Sequence, residues 1–92
     1  MVLALTMIKV QPGYEKSIYR DLQRRSGIRD VYRLFGEFNF FLIMQAERRS
    51  MLDNLLNEIK EDGKVIKTGP VLLTVDGDMS EIVYEEAEAA FG

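Results

Sequence analysis

The chain has 92 residues, 47% of them hydrophobic and 29% charged, with no Cys, no His and no Trp. One domain with a real core fits that length, whereas disulfide frameworks, Cys- or His-based metal sites, thiol nucleophiles and His-dependent acid–base catalysis are excluded. The formal net charge of −3 hides a division: residues 1–75 carry 12 basic and 9 acidic groups, while residues 76–92 carry six acidic groups and no basic one.

Residues 1–8, Met-Val-Leu-Ala-Leu-Thr-Met-Ile, lack the basic segment and small-residue cleavage site of a signal peptide. No apolar run approaches the ~20 residues that a membrane-spanning helix needs, so a cytoplasmic location and no membrane partner are expected. The opening run reads as a strand that ends at Val10, just before Pro12-Gly13. Tyr14, Ile18 and Leu22 at i, i+4 and i+8 predict a helix within 12–26, with Pro12 near its start and Gly27 just past its end. Branched and aromatic residues over Ile28–Phe35 and Phe38–Ala46 predict a hairpin that turns at Gly36-Glu37. Met51, Leu52, Leu55, Leu56 and Ile59 then set a second helix, with Ser50 as N-cap and Gly63 as its stop. Lys64–Val75 reads as the last strand, interrupted near Gly69-Pro70, and Asp76-Gly77 is a turn signal. Asp78-Met79-Ser80-Glu81 matches a capping box, which predicts a C-terminal helix with Met79, Ile82, Val83, Ala87, Ala90 and Phe91 as its apolar stripe.

The resulting order, β-α-β-β-α-β, predicts an α+β ferredoxin-like sandwich with both helices on one face of an antiparallel sheet and an extra C-terminal helix. A half-exposed antiparallel strand alternates apolar and polar residues, and these strands do not. Leu3, Leu5 and Met7 oppose Val2, Ala4, Ile8 and Val10 across the first strand. In the third, Phe38, Phe40, Leu42 and Met44 oppose Phe41 and Ile43, which share their face with Asn39 and Gln45. Two helices cover one face only, and a bare apolar second face is rarely tolerated in a monomer. A second copy across a two-fold axis is the expected cover, and the C-terminal helix folding back is the other candidate.

Catalytic signals are weak. No pair of carboxylates stands out, no Ser has a His partner, and Lys9 reads as a strand residue at a rim. The Gly-rich phosphate cradle of acylphosphatases is not readable in Val10-Gln11-Pro12-Gly13-Tyr14, so no enzyme activity, cofactor or metal is expected. Lys16, Arg20 and Arg24 share a helix face that could track phosphates, but Glu15 and Asp21 interrupt it, and a solvated face is the plainer reading. Phe35, Phe38, Phe40 and Phe41 raise base stacking on a sheet of this topology. The expected basic-Gly-aromatic-Gly-aromatic-Val run is absent, so these aromatics read as core or interface. The most specific feature is Phe35-Gly36-Glu37-Phe38-Asn39: Gly36 permits positive φ, and Glu37 and Asn39 sit where they can meet an ammonium or a carboxylate. On local grounds alone the same five residues are a tight turn with polar ends.

Residues 1–75 resemble the C-terminal effector-binding (RAM) domain of the Lrp/AsnC transcription regulators. The resemblance runs through Met7-Ile8-Lys9-Val10-Gln11-Pro12-Gly13, through Val31-Tyr32-Arg33-Leu34-Phe35-Gly36-Glu37-Phe38-Asn39, and through the leucine-rich second helix and Val65-Ile66-Lys67-Thr68. It implies the dimeric α+β barrel form of the fold, dimers joined through their sheets, and higher assemblies such as an octamer. It also implies a small effector, usually an amino acid, bound between dimers, with Gly36, Glu37, Phe38, Asn39 and Thr68 contributing to the cleft. Asn39 stands where Asp is common in the family, and Pro70 where Thr is often found. The sequence starts at the first strand, so the resemblance is to stand-alone effector modules lacking the DNA-binding domain, and direct nucleic-acid contact is not expected. The alternative expectation is a structural protein that assembles with itself or with full-length family regulators without a ligand. Residues 76–92 lie outside the resemblance and are expected to be an acidic helical extension.

Overall fold

The first strand, β1 (Val2–Val10), is the axis of the sheet, because its neighbours on both sides pair with it. The structure is a computed structural model that describes residues 1–74 and the backbone of residues 75 and 82–85. After β1 come α1 (Glu15–Arg24), β2 (Ile28–Arg33), β3 (Phe40–Ala46), α2 (Arg49–Glu61), β4 (Val65–Thr68), β5 (Val71–Val75) and β6 (Ile82–Glu85). Every pairing is antiparallel, in the order β2-β3-β1-β5-β6, with β4 beside β1. This is the expected ferredoxin-like α+β arrangement with two helices.

Side-chain alternation decides which face the helices cover. Ala4, Thr6, Ile8 and Val10 of β1 are buried, as are Phe40, Leu42 and Met44 of β3 and Val71 and Leu73 of β5. Against them pack Ile18 and Leu22 from α1 and Leu52, Leu55, Leu56 and Ile59 from α2, at the 3–4-residue spacing of one helix face. Tyr19 adds a ring stacked on Phe40 with centroids 5.8 Å apart. The helices are joined at the surface by an Arg25–Glu58 ion pair of 2.9 Å. The opposite face carries Leu3, Leu5 and Met7 of β1, Phe41 and Ile43 of β3 and Leu72 of β5, all half-buried. Tyr32 of β2, 51% exposed, leans on Phe41 with centroids 6.3 Å apart.

The interruption expected at Gly69-Pro70 is a real one. β4 and β5 run one after the other along the same side of β1, where Ile8 faces Thr68 but Leu5 faces Leu72. Three steps along β1 are matched by four along its partner, so one extra residue is accommodated, as in a β-bulge. The Thr6 hydroxyl donates to the Pro70 carbonyl at 3.0 Å and reaches that of Gly69 at 3.3 Å, and the Gly69 amide donates to Met7 O at 2.7 Å. The buried hydroxyl is thus satisfied by carbonyls that the bulge takes out of the ladder.

Several boundaries differ from expectation for physical reasons. The connection between β2 and β3 is six residues, 34–39, rather than two: the Leu34 amide pairs with Asn39 O at 2.9 Å and closes the ladder there. Phe38 and Asn39 therefore leave the strand. Tyr14 stands at the N-cap of α1 and is exposed instead of joining the core. α2 starts two residues earlier than a Ser50 cap would give, with Arg48 as its N-cap, and Met51 faces out.

The expected C-terminal helix is overturned over 82–85, which form β6 and pair with β5 from Thr74↔Ile82 to Val71↔Glu85. Ile82, Val83 and Tyr84 are branched or aromatic, and the free edge of β5 offers them backbone partners that a lone helix would not need. The remaining residues of the expected helix lie outside the described residues.

Gly27 illustrates how tightly the layers meet. Its φ is +94°, and a Cβ there would come within 2.9 Å of Leu55 Cδ2. Its carbonyl accepts the Gln45 amide at 2.8 Å, so the turn cannot simply move away. Gly27→Ala is expected to destabilise the fold by about 1–3 kcal/mol, combining left-handed strain with overpacking, as read by urea denaturation.

Candidate functional site

The loop 34–39 is tied down from its C-terminal end. The Asn39 amide donates to Ile8 O at 2.8 Å, and its side-chain Oδ1 accepts the Val10 amide at 2.7 Å. Asn39 thus replaces a missing ladder partner at the end of β1, beside the irregularity between Lys9 and Val10. Its carboxamide oxygen serves the backbone rather than facing outward. Asn39→Ala is expected to cost about 1–3 kcal/mol, the penalty of leaving a part-buried amide unpaired, measured by thermal or urea unfolding.

From that anchor the loop projects Phe38 and Glu37 across the sheet towards β4. The Phe38 ring edge lies where a Cβ on Gly69 would sit 3.3 Å from its Cζ, with Met7 Cε 3.5 Å from the same point. Gly69 is therefore the seat of Phe38, and a larger residue would displace the ring. The Lys67 ammonium lies 5.4 Å from the Phe38 centroid and forms an ion pair with the Glu37 carboxylate. That hydrogen bond, then the Lys67 charge, holds the Glu37 carboxyl below its ordinary range; slight desolvation opposes this, and the Lys9 charge adds to it. The pair persists above the usual carboxylate range and is lost as the pH falls through the lowered value. Lys67→Met is expected to return Glu37 towards the ordinary carboxyl range, read by carboxyl-carbon NMR titration.

Gly36, at the loop tip, has a φ of +110° and open space around it, so its role is the turn itself. Phe35 beside it is 100% exposed. Thr68 does not join Glu37 and Phe38: it is the cross-strand neighbour of Ile8 and shares the helix-covered side. It lines a shallow depression of about 360 Å³ with Lys60, Val65, Ile66 and Lys67. The structure thus gathers Glu37 and Phe38, sets Asn39 behind them as support, and separates Thr68 from them.

Two members of the cluster are not singled out by sequence reasoning. Lys67 reads there only as part of the last strand and Lys9 as a rim residue, yet they are directly paired across β1 and β4. Their lysine identity and opposite positions in two antiparallel strands are the available signal, hidden because the register cannot be counted through the bulge. A wider, open depression of about 670 Å³ lies at the other end of the β2–β3 hairpin, lined by Gly27, Ile28, Ala46, Met51 and Leu55 among others, away from these charges. Among the described residues no group of three or more Asp or Glu is placed to hold a metal ion, and no helix is long and apolar enough to cross a membrane.

No family model matches the sequence, and no curated protein is similar to it at a significant level. Solved structures do match. The hypothetical protein PHS023 from Pyrococcus horikoshii superposes with a TM-score of 0.75 at 18% identity, covering 82% of this chain and 90% of that one. FFRP-DM1 gives 0.76 at 18% identity, over 82% of this chain and all of that one (100%). TTHA0845 from Thermus thermophilus gives 0.73 at 16% identity, over 85% and 98% respectively. At these identities the likeness is one of fold: all three share the ferredoxin-like α+β architecture described above.

Proposed function

We propose that this chain is an effector module of the Lrp/AsnC type. It binds a small molecule, an amino acid, at the 34–39 loop, and acts in transcription regulation without touching DNA itself. The observation that carries the reading is the Glu37–Lys67 pair laid over Phe38 and Gly69. An amino acid brings one ammonium and one carboxylate, the same two charges as that pair. Its ammonium takes the place of Lys67 on Glu37, and its carboxylate takes the place of Glu37 on Lys67, so each member of the pair keeps an opposite charge beside it. The Phe38 ring supplies apolar surface beside the exchange, and a neighbouring copy completes the enclosure.

Assembly follows from the second sheet face. Leu3, Leu5, Met7, Phe41, Ile43 and Leu72 form a continuous half-buried apolar surface, suited to an isologous contact with a second copy. The proposal is therefore a homodimer that associates further, to an octamer in the form implied by the family resemblance. Nucleic acid and membrane have no part in it, and catalysis is not proposed.

A thermal-shift series with the common amino acids at millimolar concentration tests the binding claim. A ligand present at 100 times its Kd stabilises by about 2.7 kcal/mol, which is readily seen in the melting temperature. The expected result is a shift with a subset of amino acids that disappears in Glu37→Gln. No shift with any of them would leave the second reading, an assembly protein that pairs with its own kind or with full-length regulators. That reading draws on Phe35, whose complete exposure at a loop tip suits a protein contact better than a ligand.

A further inference from the structure

We infer that the ligand class is the acidic amino acids, with Lys9 receiving the side-chain carboxylate; this rests on the amino-acid reading of the same site. Lys9 and Lys67 are direct cross-strand partners, so two ammonium groups face the same side of the sheet from adjacent positions. Like charges placed opposite one another in an antiparallel pair destabilise it unless something neutralises them. Glu37 neutralises only one, pairing with Lys67, and Lys9 forms no ion pair among the described residues. Lys9 nevertheless lies close enough for its charge to act on the Glu37 carboxylate.

The cluster therefore presents two positive groups and one negative group. Aspartate and glutamate present the inverse set, two carboxylates and one ammonium. A neutral amino acid satisfies Glu37 and Lys67 and leaves Lys9 as it was. An acidic one satisfies all three. Direction supports the same assignment: Lys9 lies two residues from Met7 on the same face, and Met7 with Phe38 and Gly69 forms an apolar floor flanking the two lysines. The methylenes of a short acidic side chain would rest against that floor, with the two carboxylates on the adjacent Lys67 and Lys9.

The test is calorimetric titration of the full chain at low ionic strength with L-glutamate, L-aspartate, their amides L-glutamine and L-asparagine, and glutarate. The acids are expected to bind at least about 10-fold more tightly than the isosteric amides, as for a charge-assisted contact against a neutral one. Lys9→Gln is expected to bring that ratio close to one, because the acids lose far more affinity than the amides. Lys9→Arg keeps the charge and is expected to preserve the preference, which separates loss of charge from loss of fold. Amides binding as tightly as the acids would overturn the inference and leave the amino-acid reading standing. So would a preference that survives Lys9→Gln. Glutarate binding as tightly as glutamate would also overturn it, because Glu37 would then be recognising no ammonium. If no amino acid binds at all, the wider reading falls with it.

Discussion

Ile43→Glu is expected to abolish the proposed association through the second sheet face, giving monomers without unfolding the chain. Ile43 sits in the middle of the apolar second face, opposite Leu5 on one side and Asp30 on the other. It is half-buried in the single chain, so a carboxylate there keeps access to water and the fold tolerates it. In a two-fold contact through this face both copies carry the change, and each carboxylate must be stripped of water without a cationic partner. Truncating or mismatching a buried charge at an interface costs about 2–5 kcal/mol, and the symmetry imposes the cost twice. Asp30 beside it adds repulsion. Sedimentation velocity at micromolar concentration reads the result. A variant that sediments like the parent would show that this face does not join two copies.

Phe40→Ala is expected to be the most damaging single truncation in the core. Phe40 is essentially inaccessible, stacks on Tyr19 of α1 and faces Ile8 across the sheet. Removing it deletes apolar contact with both layers and leaves a cavity between the sheet and α1. Such truncations cost about 3–5 kcal/mol, against a total of about 5–15 kcal/mol for a domain of ordinary stability. A urea midpoint lowered by a third or more is the expected reading. Phe35→Ser supplies the contrast: five residues away and fully exposed, it is expected to leave the midpoint unchanged. Equal losses in the two variants would contradict the burial that separates them.

Those two phenylalanines also show how far the sequence could be read. The alternation of Phe40, Leu42 and Met44 against Phe41 and Ile43 is visible in the composition of the strand alone, because side-chain period in a strand is fixed at two. So are the helix faces at Ile18–Leu22 and Leu52–Ile59, and from them the layer order. The loop 34–39 is legible as special but not as built. Asn39 looks like a ligand group and is instead a backbone partner, because the end of β1 has an amide that the irregular ladder leaves over. Lys67 and Lys9 look like separate surface charges, and only the register makes them one feature. At the C-terminus the capping box at Asp78 predicts a helix, while Ile82-Val83-Tyr84 pairs with the open edge of β5. Local signals favour the helix, and a non-local partner selects the strand. Tertiary pairing of this kind routinely overrides propensity.

The extra residue at Gly69-Pro70 has a consequence for what the chain can lose. It shifts the alternation between β4 and β5, so that Lys67, at an odd position, and Leu72, at an even one, emerge on the same side of the sheet. Upstream of it the face is charged and suited to a solute; downstream it is greasy and suited to another copy. Removing one residue there would keep every hydrophobic letter in place and still force a choice, turning either Lys67 or Leu72 inward. Surface connections in small domains ordinarily drift in length with little penalty. This one is a fixed count, and a lineage in which it changed would have to give up either the charged cluster or the apolar face.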